Sequence, residues 1–191
     1  MEMLLSLMVG IGLSAACGFR VFVPMLVVGL AGRTGHLELA LGFDWLMSDA
    51  ALVTFGAATV LEIVAYYVPW LDNVLDSLAT PAAVIAGTVI TASLISDVDP
   101  FMRWTLAVIA GGGAAGLVQG TTVVARGTST VTTGGLANPV LATVELGGSV
   151  MTSILAVLVP VFALVLVSGL LIAGVYTIKR RRGTAPQLVA G

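Results

Sequence analysis

Residues 12–24 read GLSAACGFRVFVP, and the reading of this stretch decides the fold. It lies inside an apolar run over residues 3–31 that carries one charge, Arg20, with Pro24 four residues later. A straight helix needs about 20 residues to cross about 30 Å of hydrocarbon. The run is too long for one such helix, and Gly18 with Pro24 marks a break within it. A break frees backbone polar groups, which must line a cavity or be buried in protein. Arg20 stands at the break. It can pair with a buried carboxylate, present its fork to an anionic substrate group, or snorkel toward the membrane surface. The mostly apolar residues before it favour a buried pair.

The rest of the chain has the same character. Of 191 residues, 58% are hydrophobic and 9% charged, and mean hydropathy is +1.10. Soluble domains are roughly a quarter charged, so lipid is the expected solvent. The net charge of −2 says little. No basic patch outside the extreme C-terminus suits nucleic acid. Cys17 is the lone cysteine and excludes an internal disulfide or a thiolate metal cluster. SAAC at 14–17 resembles a lipoprotein cleavage box. The N-terminus MEMLLSLM has no Lys or Arg, however, and the apolar run continues past Cys17, so a retained span is expected.

Six apolar segments are expected, over residues 3–31, 50–67, 81–95, 104–124 and a run at 139–178 divided near Pro160. The first is too long and the third too short for a plain span, which implies broken, tilted or re-entrant helices. The connections hold Arg33, His36, Glu38, Asp44 and Asp49, then Asp72 and Asp76, then Asp97, Asp99 and Arg103, then the hydroxyl-rich RGTSTVTTGGLANP. The cations Lys179 to Arg182 place the C-terminus in the cytoplasm. Six spans place the N-terminus there too, and five would move it outside. The expected organisation is one membrane domain over 1–182, with a disordered cytoplasmic tail at 183–191.

Gly10, Ser14 and Gly18 share a four-residue spacing with Gly112, Gly116 and Gly120, at a constant offset of 102. Small residues so spaced make a flat stripe for close helix approach. ATVLE ends at Glu62 and ATVE at Glu145, at an offset of 83. Together these suggest two inverted three-helix repeats, 1–99 and 100–182, with a polar site near the midplane.

Glu62 lies well inside an apolar segment, and Tyr66 is one helical turn on. A carboxylate there faces protein or a wet cavity. Glu145 precedes Gly147 and Gly148, which would loosen a helix. Either acid can meet Arg20. Thr121, Thr122 and Asn138 can line a polar path, although Asn138 before Pro139 is also a plain helix start. Asp72 and Asp76, at i and i+4, are weak metal candidates and read better as a solvated loop helix. His36 is the only histidine, and no nucleophile–base pair is visible, so an enzyme is not expected and no cofactor is implied.

GFRVFVP, LE with VPWLDNVLD and TPAAVIAG, DVDP, and TTGGLANP with a following glutamate come in that order. Together they resemble a family of small bacterial membrane proteins, domain of unknown function 4126, over residues 8–182. The resemblance implies a multi-spanning protein of the bacterial inner membrane and brings no activity. This chain has Tyr66 and Tyr67 where that pattern has an Asp-Lys pair, and Leu146 where it has a second acid. Those differences argue against a strongly charged site.

Two functions remain. One is a small transporter or channel for an ion or small solute, with Arg20, Glu62 and Glu145 at its centre. The other is a structural or assembly protein whose glycine stripes bind partner helices. A homodimer in the bilayer fits either.

Overall fold

The computed structural model describes residues 2–163 and, beyond them, 165, 167–169, 172, 173 and 176; the side chains of 2 and 69–74 lie outside that description. The described elements are helical: α1 (Glu2–Cys17), α2 (Phe22–Arg33), a 3-10 turn (Asp44–Met47), α3 (Asp49–Ala65), α4 (Pro69–Leu94), α5 (Pro100–Leu106), a π-helical turn (Ala107–Gly112), α6 (Gly113–Thr133) and α7 (Asn138–Leu158). Three helices are long and apolar enough to cross a membrane, Leu75–Leu94, the continuous Pro100–Thr133, and Asn138–Leu158.

Prolines start several helices, because a first turn has no use for their missing N–H. Pro69 and Pro100 open α4 and α5, and Pro139 lies in the first turn of α7. Asp99 caps α5 by accepting from Met102 N at 3.1 Å, and Ser48 caps α3 by accepting from Ala51 N at 3.2 Å. Asn138 is not a cap. It is already helical, and its Nδ2 donates to Thr130 Oγ1 at 3.3 Å. Gly147 and Gly148 do not interrupt α7.

The first apolar run is two helices, and their contacts show that they run in opposite directions. Gly10 packs on Thr91, near the C-terminal end of α4. Further along, Ser14 donates to the Gly87 carbonyl at 2.6 Å, and Ser149 donates to the Ala16 carbonyl at 3.1 Å. After the turn, Arg20 reaches Ala142 in the second turn of α7. α2 then climbs back, with Gly29 against Leu46 and Arg33 bonded to Asp49. The two helices form a hairpin whose open end lies at the face carrying residues 34–48 and 95–99. Its tip is buried, with Cys17 at 0% and Arg20 at 1% exposure.

The hairpin separates the two halves of the repeat argument, and the glycine stripes do not lie on oppositely directed helices. Gly10 and Gly111 both pack on Thr91, while Gly18 packs on Ala115, Val118 and Gln119. α1 and α6 therefore run in the same direction. Three apolar segments make four helices, and an even number returns the chain to its starting face. α3 and α7, which carry the two glutamates, run oppositely.

Two segments are longer than their hydropathy implies. α4 begins at Pro69 and passes through Pro81, so the third segment is not short. α6 runs nine residues past Val124 to Thr133. The run from Pro139 does divide at Pro160, where α7 ends and Val159 leaves helical geometry. Lys179 to Arg182 and the tail at 183–191 lie outside the described residues.

α4 is the central helix, flanked by α1 and by the π-helical turn with α6. Glycine allows both approaches. A Cβ on Gly87 would lie 3.0 Å from the Gly111 carbonyl and 3.1 Å from Ser14 Cβ. In the stripes, Gly10, Ser14, Gly112 and Gly116 face α4, Gly18 faces α6, and Gly120 faces open space.

Candidate polar site at the hairpin tip

Five elements bring ionisable side chains to the hairpin tip. Arg20 comes from the tip, Glu62 and Tyr66 from the end of α3, Asp76 from α4, Arg126 from α6 and Glu145 from α7. Arg20, Glu62, Tyr66, Arg126 and Glu145 are all buried.

Arg126 and Glu145 form its centre. Arg126 Nε donates to Glu145 Oε1 at 2.9 Å, and its NH2 bonds Oε2 of the same carboxylate. This is the bidentate fork that suits guanidinium and carboxylate. Arg126 NH1 also lies 3.5 Å from Asp76 Oδ1. Arg20 NH2 donates to the Ala142 carbonyl at 2.9 Å and stands 3.7 Å from Glu145 Oε2. Both guanidiniums lie over the Tyr66 ring, at 3.8 Å for Arg20 and 4.1 Å for Arg126 from its centroid. Such contacts strengthen where water is excluded.

Glu62 does something else. Its Oε1 accepts from Val21 N at 3.0 Å and its Oε2 from Phe22 N at 3.3 Å. α2 has no side-chain cap from its own N-cap residue. A carboxylate from α3 therefore satisfies amides freed by the break, in the place where a helix favours negative charge. Arg20 Nε and NH1 are buried without a hydrogen-bond partner.

A cleft of about 450 Å³ opens beside this cap. Val21, Phe22, Glu62 and Tyr66 border it, and its other walls are leucine and alanine side chains of α3 and α4.

Sequence reading names Arg20, Glu62, Tyr66 and Glu145, and these four meet. Of its two partners for Arg20, the nearby carboxylate is that of Glu145; that of Glu62 holds backbone amides. Thr121 and Thr122 bond carbonyls of their own helix, Val118 at 2.6 Å and Gln119 at 2.9 Å, and do not join the cluster. Asn138 bonds Thr130. Asp76 belongs to the buried network and not to a solvated loop helix, and the side chain of Asp72 lies outside the described residues. Among the described residues, no three His, Cys, Asp or Glu side chains form a metal-binding group. The Tyr66 and Leu146 differences do not remove the charged site, because Arg126 and Asp76 supply charge and Tyr66 supplies its ring.

Arg126 is the residue that sequence reading missed, because it falls in the hydroxyl-rich stretch taken as a connection. A signal was present. Gln119, Thr122, Arg126 and Ser129 recur at three- and four-residue spacing and are all buried.

A family model matches residues 7–180, nearly the whole chain. The chain belongs to the family Domain of unknown function (DUF4126). No curated protein and no solved structure matches it.

Proposed function

We propose that this DUF4126 protein is a small membrane transporter or channel whose solute meets the cluster at the hairpin tip. The observation that carries this is Arg20. Its guanidinium is buried at a helix break, and two of its nitrogens have no partner. A purely structural pair would be expected to use its donors, since an unmet buried charged group costs several kcal/mol. Binding sites for charged solutes built at broken helices near the middle of a bundle follow the same physical logic. The glycine stripes favour this reading over an assembly protein, because Gly10, Gly18, Gly112 and Gly116 are used within one chain.

The test is water access. Cys17 is replaced by Ser, and single cysteines are placed at Ala65 and Ala142, beside the cluster but outside it. Membrane-impermeant thiol reagents are applied from each side. Labelling at either position supports a wet path. Protection from both sides, in folded protein that reacts once denatured, overturns transport.

A further inference from the structure

We infer that the turn Tyr66–Val68 is a gate between the α3–α4 cleft and the two buried arginines, and that the Tyr67–Thr143 hydrogen bond holds it shut. This rests on the transport reading and names how access to its site is controlled. Tyr66 stands between the two compartments. It borders the cleft together with Leu61, Glu62 and Ala65. Its ring also carries the guanidiniums of Arg20 and Arg126, at 3.8 and 4.1 Å from its centroid. Neither arginine borders the cleft. The Tyr66 side chain is therefore the wall that a solute in the cleft would meet before either guanidinium.

The turn has the build of a hinge with a latch. α3 ends at Ala65, and Tyr66 is its C-cap residue. Val68 is extended, with φ −101° and ψ 110°, and Pro69 then opens α4. A few such element-terminal residues are enough to absorb a hinge motion. Tyr67 is exposed, and its hydroxyl meets Thr143 Oγ1 of α7 at 2.8 Å. Thr143 gives its own proton to the Pro139 carbonyl at 2.9 Å, so Tyr67 is the donor. Each latch residue directly follows a residue of the site. Tyr66 precedes Tyr67, and Ala142, whose carbonyl accepts from Arg20, precedes Thr143. Releasing the latch thus frees the Tyr66 ring to swing off the guanidiniums. An exposed neutral hydrogen bond suits that role, because water replaces either partner at small cost. The buried Arg126–Glu145 pair behind it does not part so readily.

The experiment uses the full chain with Cys17→Ser in lipid nanodiscs and has two readouts. Spin labels on Val64→Cys and Val144→Cys, both at exposed positions, report the distance from α3 to α7. Single cysteines at Ala65, which borders the cleft, and at Ala142, on the arginine side of Tyr66, report access of a small impermeant thiol reagent. Tyr67→Phe and Thr143→Val each add a longer distance and speed labelling at 142 about fivefold, the factor that one neutral hydrogen bond gives. Labelling at 65 keeps its rate. The double variant does no more than either single one, because both remove the same bond. Thr143→Ser keeps an acceptor and behaves as the unaltered protein does. Should Ala142→Cys fail to fold, the spin-label distances decide.

Additive effects of Tyr67→Phe and Thr143→Val overturn the latch, since the two would not be acting through one bond. Labelling at 142 as fast as at 65 in the unaltered protein overturns Tyr66 as the barrier. Distances that respond to the variants while both cysteines stay fully protected would refute transport alone. Labelled cysteines, with distances that neither variant moves, would refute the gate alone.

Discussion

Two arginine–carboxylate pairs sit toward opposite faces of this molecule, and they differ in everything except chemistry. Arg33 and Asp49 join α2 to α3 with side chains 51% and 84% exposed. Arg126 and Glu145 join α6 to α7 with side chains 3% and 8% exposed. The first pair can exchange its partner for water at little cost. The second gives up its partner only at a cost, because both side chains are buried, with Asp76, Tyr66 and Arg20 beside them. What a charge contributes here is decided by what would replace its partner. The same rule separates the buried cluster from the exposed pair.

The largest test of that contrast is Glu145→Ala. It leaves two buried guanidiniums near one another with a missing carboxylate. Removing one member of a buried pair costs about 3–5 kcal/mol. Denaturant titration in detergent should show a loss of that size, with Asp49→Ala nearly silent beside it. Equal losses would mean that Glu145 is not held in a buried pair as described.

Glycines sharpen the same contrast between packed and open regions. A Cβ on Gly18 would lie 2.5 Å from the Ala115 carbonyl and from Val118 Cβ, and 2.8 Å from Gln119 N. Backbone atoms cannot step aside, so Gly18→Ala should cost about 1–3 kcal/mol and displace the hairpin tip. Gly120, in the matching stripe, has nothing within 4 Å. Gly120→Ala should stabilise α6 by up to about 1 kcal/mol, the helix preference for alanine. If the two substitutions had the same sign in thermal unfolding, the hairpin would not pack on α6 as described.

A smaller effect is expected one helix away. Ser149 donates to the Ala16 carbonyl at the start of the break, at 3.1 Å. Ser149→Ala leaves that carbonyl with the turn amides of Phe19 and Arg20. A single neutral hydrogen bond contributes about 1 kcal/mol, so the loss should fall between those of Gly18→Ala and Asp49→Ala.

These sites also show what the sequence carries and what it does not. The break at Gly18–Val21, the boundary at Pro160 and the burial of Arg20, Glu62 and Glu145 are legible, because a charge or a proline in an apolar run is a local signal. Direction is not local. Nothing in GLSAACGFRVFVP says whether the chain continues across the bilayer or folds back, and the inverted repeat depends on that choice. Arg126 and Asp76 are illegible by hydropathy for a related reason. Each lies in a polar stretch, and only partners on other helices bring it into the cluster. Glu62 shows the limit best. Its burial can be read, but its partners are two main-chain amides at a break in another helix.

The exposed pair gives the smallest effect and the cleanest control. Arg33→Ala and Asp49→Ala, singly and together, form a double-mutant cycle whose coupling should be about 0.2–1 kcal/mol. Raising ionic strength should erase it, since charges in water are screened over about 10 Å at 0.1 M salt. The matching cycle on Arg126 and Glu145 should keep more of its coupling at the same salt, because buried pairs are screened much less. Arg33 ends α2 and Asp49 begins α3, so the exposed pair also tethers the loop-face end of the hairpin. Coupling that survived high salt there would mean that this end is shielded, by lipid headgroups or by a second copy of the chain, and the contrast between the two faces would narrow from that side.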